Sequence, residues 1–186
     1  MSLAVFESFL TFAEEAMRSK AGLPSAIDAA EFENALVSHS VVLLHSHMEQ
    51  CLREAVKVRC ARCVDPEVRA FVLKVVDKDT GRIGIASLKE TLGRFSDAYK
   101  VAFRTELDAS GLEDSWESIQ NHRVTVAHHG LPATCSLADV RLYYEDIRKI
   151  LGFFCNGLGL NATEVATISG LIVFPTVPAG ASTAGS

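Results

Sequence analysis

No apolar run in this 186-residue chain reaches the ~18–20 residues of a membrane span, so no transmembrane helix is expected. The first twenty residues have no basic n-region, and Glu7, Glu14 and Glu15 interrupt their apolar positions, which argues against a secretory signal. Without an export signal, an odd set of five cysteines (Cys51, Cys60, Cys63, Cys135, Cys155) reads as reduced thiols in a cytoplasmic protein rather than as a disulfide framework. Only one C-x-x-C pair occurs, Cys60-Ala-Arg-Cys63, with no second such pair to complete a zinc site. His39, His45 and His47 share no single helix face and form no H-E-x-x-H pattern, which disfavours catalytic zinc. Gly81-Arg-Ile-Gly84 is too short for a phosphate loop and follows no strand. No cofactor and no metal is therefore expected. An excess of positive charge is missing too: 18 basic residues against 23 acidic ones argue against coating nucleic acid through bulk charge.

What is present is helical periodicity and one local reversal of charge. Residues 51–82 carry eight bases and five acids, a net +3, whereas the segments before and after are acidic. A solvated helix face accounts for that pattern without a function. Phe6, Phe9, Leu10 and Ala13 set an apolar face on a first helix, ended by Gly22-Leu-Pro24. Asp28-x-x-Glu31 is a capping box for the longest helix, whose stripe Val37, Val41, Leu44, Met48, Leu52 and Ala55 is widened by Leu36, Leu43 and His47. Such a helix is expected at the centre. Asp65-Pro66 starts a short helix carrying Val68, Phe71, Val72 and Val75, and residues 77–84 read as a loop. Ser87-x-x-Glu90 caps a helix to about Leu107, and a further helix over 113–128 stops at Gly130 and Pro132. Ser136-x-x-Asp139 opens the last, through Val140, Tyr144, Ile147, Leu151 and Phe154. The expected fold is an all-α bundle of five or six helices over residues 1–160, without significant sheet. Residues 161–186, rich in Gly, Ala, Ser, Thr and Pro, read as a tail in which the apolar Ile168–Phe174 stretch packs on the bundle or on a partner.

The candidate chemistry lies between Trp116 and Gly130. Leu112, Trp116 and Ile119 set a stripe whose next position is 123, so Arg123 stands where an apolar residue is demanded. A guanidinium there must be paired or functional. His128 follows five residues on, about 140° around and 7.5 Å along an ideal helix, within reach of the arginine's long stem. Two readings fit: Arg123 pairs with a buried carboxylate while His128 or His129 caps the helix terminus, or Arg123 and a histidine form a site.

Arg123-x-x-x-x-His128, written RVTVAHHG with the residues that follow, resembles the R-x(4–6)-H signature of HEPN-domain ribonucleases. ALVSHSVVLLHSHMEQCLREAV, containing Glu49, is similar to the long second helix of the RiboL-PSP type of that domain. LADVRLYYEDIRKILGFF is similar to its final helix. Together these cover most of residues 30–158. The resemblance implies a HEPN-type bundle that cleaves RNA without a metal at the interface of a homodimer, leaving a 2′,3′-cyclic phosphate and a 5′-hydroxyl. It implies catalytic roles for Arg123 and His128, and a biological setting in a toxin–antitoxin or defence system with an antitoxin or other regulatory partner. In the family a polar residue, often Asn, follows the arginine. Val124 stands there in this chain, and Asn121, about 20° around the helix from His128, would take over that polar role.

Several assignments remain open on sequence alone. His129 also satisfies the signature spacing. Glu49 either orients Arg123 or His128 across the helix pair, as the resemblance implies, or forms an i,i+4 pair with Arg53. His122 reads as a surface residue. The alternatives for the whole protein are a non-catalytic HEPN module that binds a partner protein or nucleotide, and a small metal-binding regulator built on Cys60 and Cys63.

Overall fold

The computed structural model describes residues 3–19, 28–79 and 83–168. Eight helices and no strand occur among them: α1 (Leu3–Arg18), α2 (Ala29–Cys60), α3 (Pro66–Asp79), α4 (Ile85–Phe95), α5 (Asp97–Ser110), α6 (Glu113–His129), α7 (Leu137–Gly157) and α8 (Ala162–Ala166). None of the described helices is long and apolar enough to cross a membrane.

α2 has 32 residues and is about 48 Å long. It is the spine of the bundle, packing on α1, α3, α6 and α7. Every member of its expected stripe, from Val37 to Ala55, is buried. α7 lies alongside with Val140, Tyr144, Ile147, Leu151 and Phe154 buried, and Phe6 of α1 closes the core against Tyr144. Each such side chain contributes roughly 1.5–3 kcal/mol by leaving water. Capping follows the sequence signals at several starts. Asp28 accepts from the Ala30 N–H at 2.7 Å, an N-cap without the capping box expected with Glu31, while Asp65 accepts from the Glu67 and Val68 N–H groups, and Ser136 and Asp139 form a complete capping box.

The helix count departs from the expected five or six. The single helix expected over 87–107 is two, because Ser96 takes an extended conformation and its hydroxyl accepts from the Ala98 N–H to start α5. The apolar spacing Leu88, Leu92, Phe95, Tyr99, Phe103 runs through the break, so periodicity alone conceals it. α4 begins at Ile85 behind Gly84, without a side-chain cap, rather than at the Ser87 signal. α3 continues to Asp79, into the stretch read as loop, and its Val68 and Phe71 are exposed while Val72 packs on the core.

Residues 161–168, read from composition as the start of a tail, are folded onto the bundle. Asn161 and Glu164 form a capping box for α8, and Val165 and Ile168 are buried. Arg62, in the turn that follows α2, donates to both oxygens of Glu164 and, at 2.9 Å, to the Gly159 carbonyl. That guanidinium holds the Glu164 carboxyl down to about 2. The Gly22–Pro24 break, Gly81 and Arg82, and the remainder of the tail from residue 169, including most of its apolar stretch, lie outside the described residues.

Candidate active site

α6 is short of apolar residues, and tertiary contacts set its register. Trp116 and Ile119 are fully buried between neighbouring helices, and the indole N–H donates to the Ile83 carbonyl at 2.7 Å. Gln120, one turn further, donates to the same carbonyl at 3.2 Å. These two bonds fasten the backbone before α4 against α6 and so build one wall of a cavity. Glu113 and Asp114 complement the positive end of the helix dipole. At the other end Gly130 adopts the left-handed conformation, φ 62°, and the Leu131 N–H returns to the Thr125 carbonyl at 3.3 Å. His128 is therefore held in the last turn.

With that register, Arg123 is half-buried at the edge of the core and lines a cavity of about 330 Å³ between α6, α2 and the start of α4. Its Nη1 lies 3.0 Å from His128 Nε2. Arginine can only donate, so the imidazole accepts at Nε2 and its neutral form carries the proton on Nδ1. The five-residue separation is spanned by the arginine stem, as the helix geometry anticipates. Among the described residues Arg123 forms no ion pair with a carboxylate, and the alternative of a buried Arg–carboxylate pair does not describe it.

Across the cavity α2 presents His45 and Glu49. His45 is buried, and its pKa falls to about 4, first because burial penalises the imidazolium and second because the Arg123 charge opposes it. At neutral pH its contact with Glu49, Nδ1 to Oε1 at 3.9 Å, is thus a carboxylate beside a neutral ring and not an ion pair. Glu49 faces His45, four residues before it, in place of Arg53, four residues after. A neutral histidine next to Arg123 adds no second cation, while the nearby carboxylate offsets part of the guanidinium charge.

The remaining candidates are placed differently. His128 and His129 are both exposed and neither lines the cavity, and the one in contact with Arg123 is His128. Asn121 is exposed and does not line the cavity, whose rim carries Val124, 41% accessible. His122 lies against Tyr143 of α7, ring centroids 6.2 Å apart. Cys60 is buried with its thiol pKa raised by burial, and burial pushes Cys51 and Cys155 up to about 12. Among the described residues no three His, Cys, Asp or Glu side chains come together to hold a metal ion.

Sequence reasoning had set His45 aside as part of a zinc pattern and passed over Gln120. The available signal was positional: His45 is one turn before Glu49, and Gln120 one turn before Arg123, on the same helix faces. The chain matches no protein-family model, no curated protein and no solved structure.

Proposed function

We propose that this protein is a HEPN-type endoribonuclease that cleaves RNA by attack of a ribose 2′-oxygen on the adjacent phosphorus, independently of a metal. The observation that carries the reading is the 3.0 Å contact between Arg123 and His128 beside an open cavity. In-line attack requires removal of the 2′-OH proton, charge stabilisation on the phosphoryl oxygens, and delivery of a proton to the departing 5′-oxygen. A permanently charged guanidinium suits the second task, with its planar fork matched to phosphate oxygens. The imidazole suits the first through Nε2, whose lone pair is released when the guanidinium turns from His128 to the phosphate, and once protonated it suits the third. A homodimer would place a second His128 and Arg123 across a shared cleft, dividing base and acid between two imidazoles. His45 and Glu49 would position Arg123 from the opposite wall. The setting of a toxin or defence effector with an antitoxin or other regulatory partner, in the cytoplasm, belongs to the same proposal through the family resemblance.

The test is cleavage of RNA and of DNA of the same sequence in EDTA, after any co-purifying protein has been removed. RNA is expected to be cut to products ending in a cyclic phosphate, and DNA, lacking the 2′-OH, to survive. Wild type and the Arg123→Ala and His128→Ala variants leaving RNA equally intact would end this reading. The second reading, a non-catalytic module binding a partner protein or nucleotide, is favoured by one observation: the residue after the arginine, Val124, puts an apolar side chain at the cavity rim.

A further inference from the structure

The one basic segment of the chain folds around a cavity of its own. Arg59 from the end of α2, Arg62 from the turn after it and Arg69 from α3 line a space of about 280 Å³, with Val72 and Phe95 forming an apolar wall. The three guanidiniums are committed to different degrees. Arg62 is tied to Glu164 and the Gly159 carbonyl. Arg59 donates to the Tyr99 hydroxyl at 2.8 Å and lies over that ring, a neutral partner, and shares the Glu164 carboxylate with Arg62 only through its field. Arg69 is half-buried and forms no ion pair among the described residues. Among the described residues Glu164 is the one carboxylate in an ion pair with any of the three. Guanidinium forks match phosphate oxygens, and a half-buried phenyl ring offers a surface on which a base stacks.

The place of this cavity gives it meaning. From Glu49 to Arg59 is ten residues of α2, about 15 Å. α4 begins beside the Arg123 cavity, at Gly84 and Ser87, and ends at Phe95 in the arginine cavity, about 16 Å further on. On an ideal helix His45, Glu49, Arg59 and Cys60 fall within about 100° of the circumference of α2. The two cavities therefore lie at the two ends of one stretch of α2 and α4, on the same side of the spine.

We infer that the cavity of Arg59, Arg62 and Arg69 holds a second phosphate of a single-stranded RNA whose scissile phosphate sits at Arg123, roughly three to five nucleotides of strand away. The inference rests on the ribonuclease reading. It assigns the substrate class, a single strand long enough to span both cavities, with Phe95 stacking a base next to the distal phosphate.

The probe is a 2′-O-methyl oligoribonucleotide of about twelve nucleotides, which cannot be cut through its 2′-oxygens, with binding followed by calorimetry over a range of salt. Arg69→Glu and Arg59→Gln are each expected to weaken binding about tenfold. The slope of log affinity on log salt should fall by about 0.7, the share of one phosphate contact on a single strand. A trinucleotide of the same chemistry, too short to reach both cavities and free to occupy the Arg123 cavity alone, should bind wild type more weakly than the long probe and lose less to either substitution. Arg69→Glu breaks no ion pair among the described residues, so the test survives if loss of the Arg59–Tyr99 bond destabilises the other variant. Equal affinity and salt slope for the long probe in wild type and Arg69→Glu would overturn the inference. If wild type still cleaves RNA in that case, the ribonuclease reading stands without it. Conversely, Arg69-dependent binding of the long probe by a protein that cuts no RNA would support the arginine cavity and overturn the ribonuclease reading.

Discussion

A buried imidazole beside a guanidinium makes stability depend on pH. Folded His45 titrates at about 4 against 6.5 for the free side chain, so between those values the unfolded chain takes up a proton that the folded chain refuses. The associated stability is complete above pH 6.5 and is lost as pH falls toward 4, amounting to roughly 3 kcal/mol at most. Urea unfolding at about pH 7 and about pH 4.5 should show this loss in wild type, and His45→Gln should flatten it. In cleavage, Arg123→Ala and His128→Ala are each expected to reduce the rate by about 10²-fold or more, and His129→Ala to have little effect. Arg123→Lys should also be impaired, since an ammonium keeps the charge and loses the fork. The Arg123–His128 pair was legible because both residues lie on one helix, where spacing determines reach. His45 was not, because it sits on a helix apolar almost all round and its partner Arg123 is 78 positions away. Only tertiary packing brings the two together.

At the scale of elements, the end of α6 decides where His128 points. Gly130→Ala places a Cβ on a left-handed residue and should cost about 1 kcal/mol. A thermal melt reads that cost, and a fall in cleavage beyond it would show that the last turn positions the histidine. The long amphipathic elements α2 and α7 were readable, since their stripes recur over many turns and their starts carry capping residues. The α4–α5 junction was hidden by an apolar stripe that continues across Ser96. α8 was hidden for a different reason. Five helical residues in a Gly- and Thr-rich stretch have negligible intrinsic helicity, and the element exists through a capping box, two buried apolar side chains and an arginine from the turn after α2.

For the whole molecule, the α8 contacts predict that a chain ended after Leu160 is less stable than one that retains Val165 and Ile168. Loss of the two buried side chains should cost on the order of 3 kcal/mol, seen as a lower urea midpoint. A shared cleft predicts association as well. Light scattering at micromolar concentration should give the mass of two chains, with at least ~1,000 Å² buried between them. A strictly monomeric mass there would remove the division of acid and base between two copies and leave a single chain to supply both.

The chain has one tryptophan, and it is the residue that pins the cavity wall. Its emission is consequently an optical reporter with a single origin. Fully shielded from solvent and bonded through its N–H to Ile83, the indole should emit at short wavelength in the free protein. A molecule that enters the Arg123 cavity and displaces the backbone at Ile83 and Gly84 would register as a change in that spectrum, without a label and without turnover.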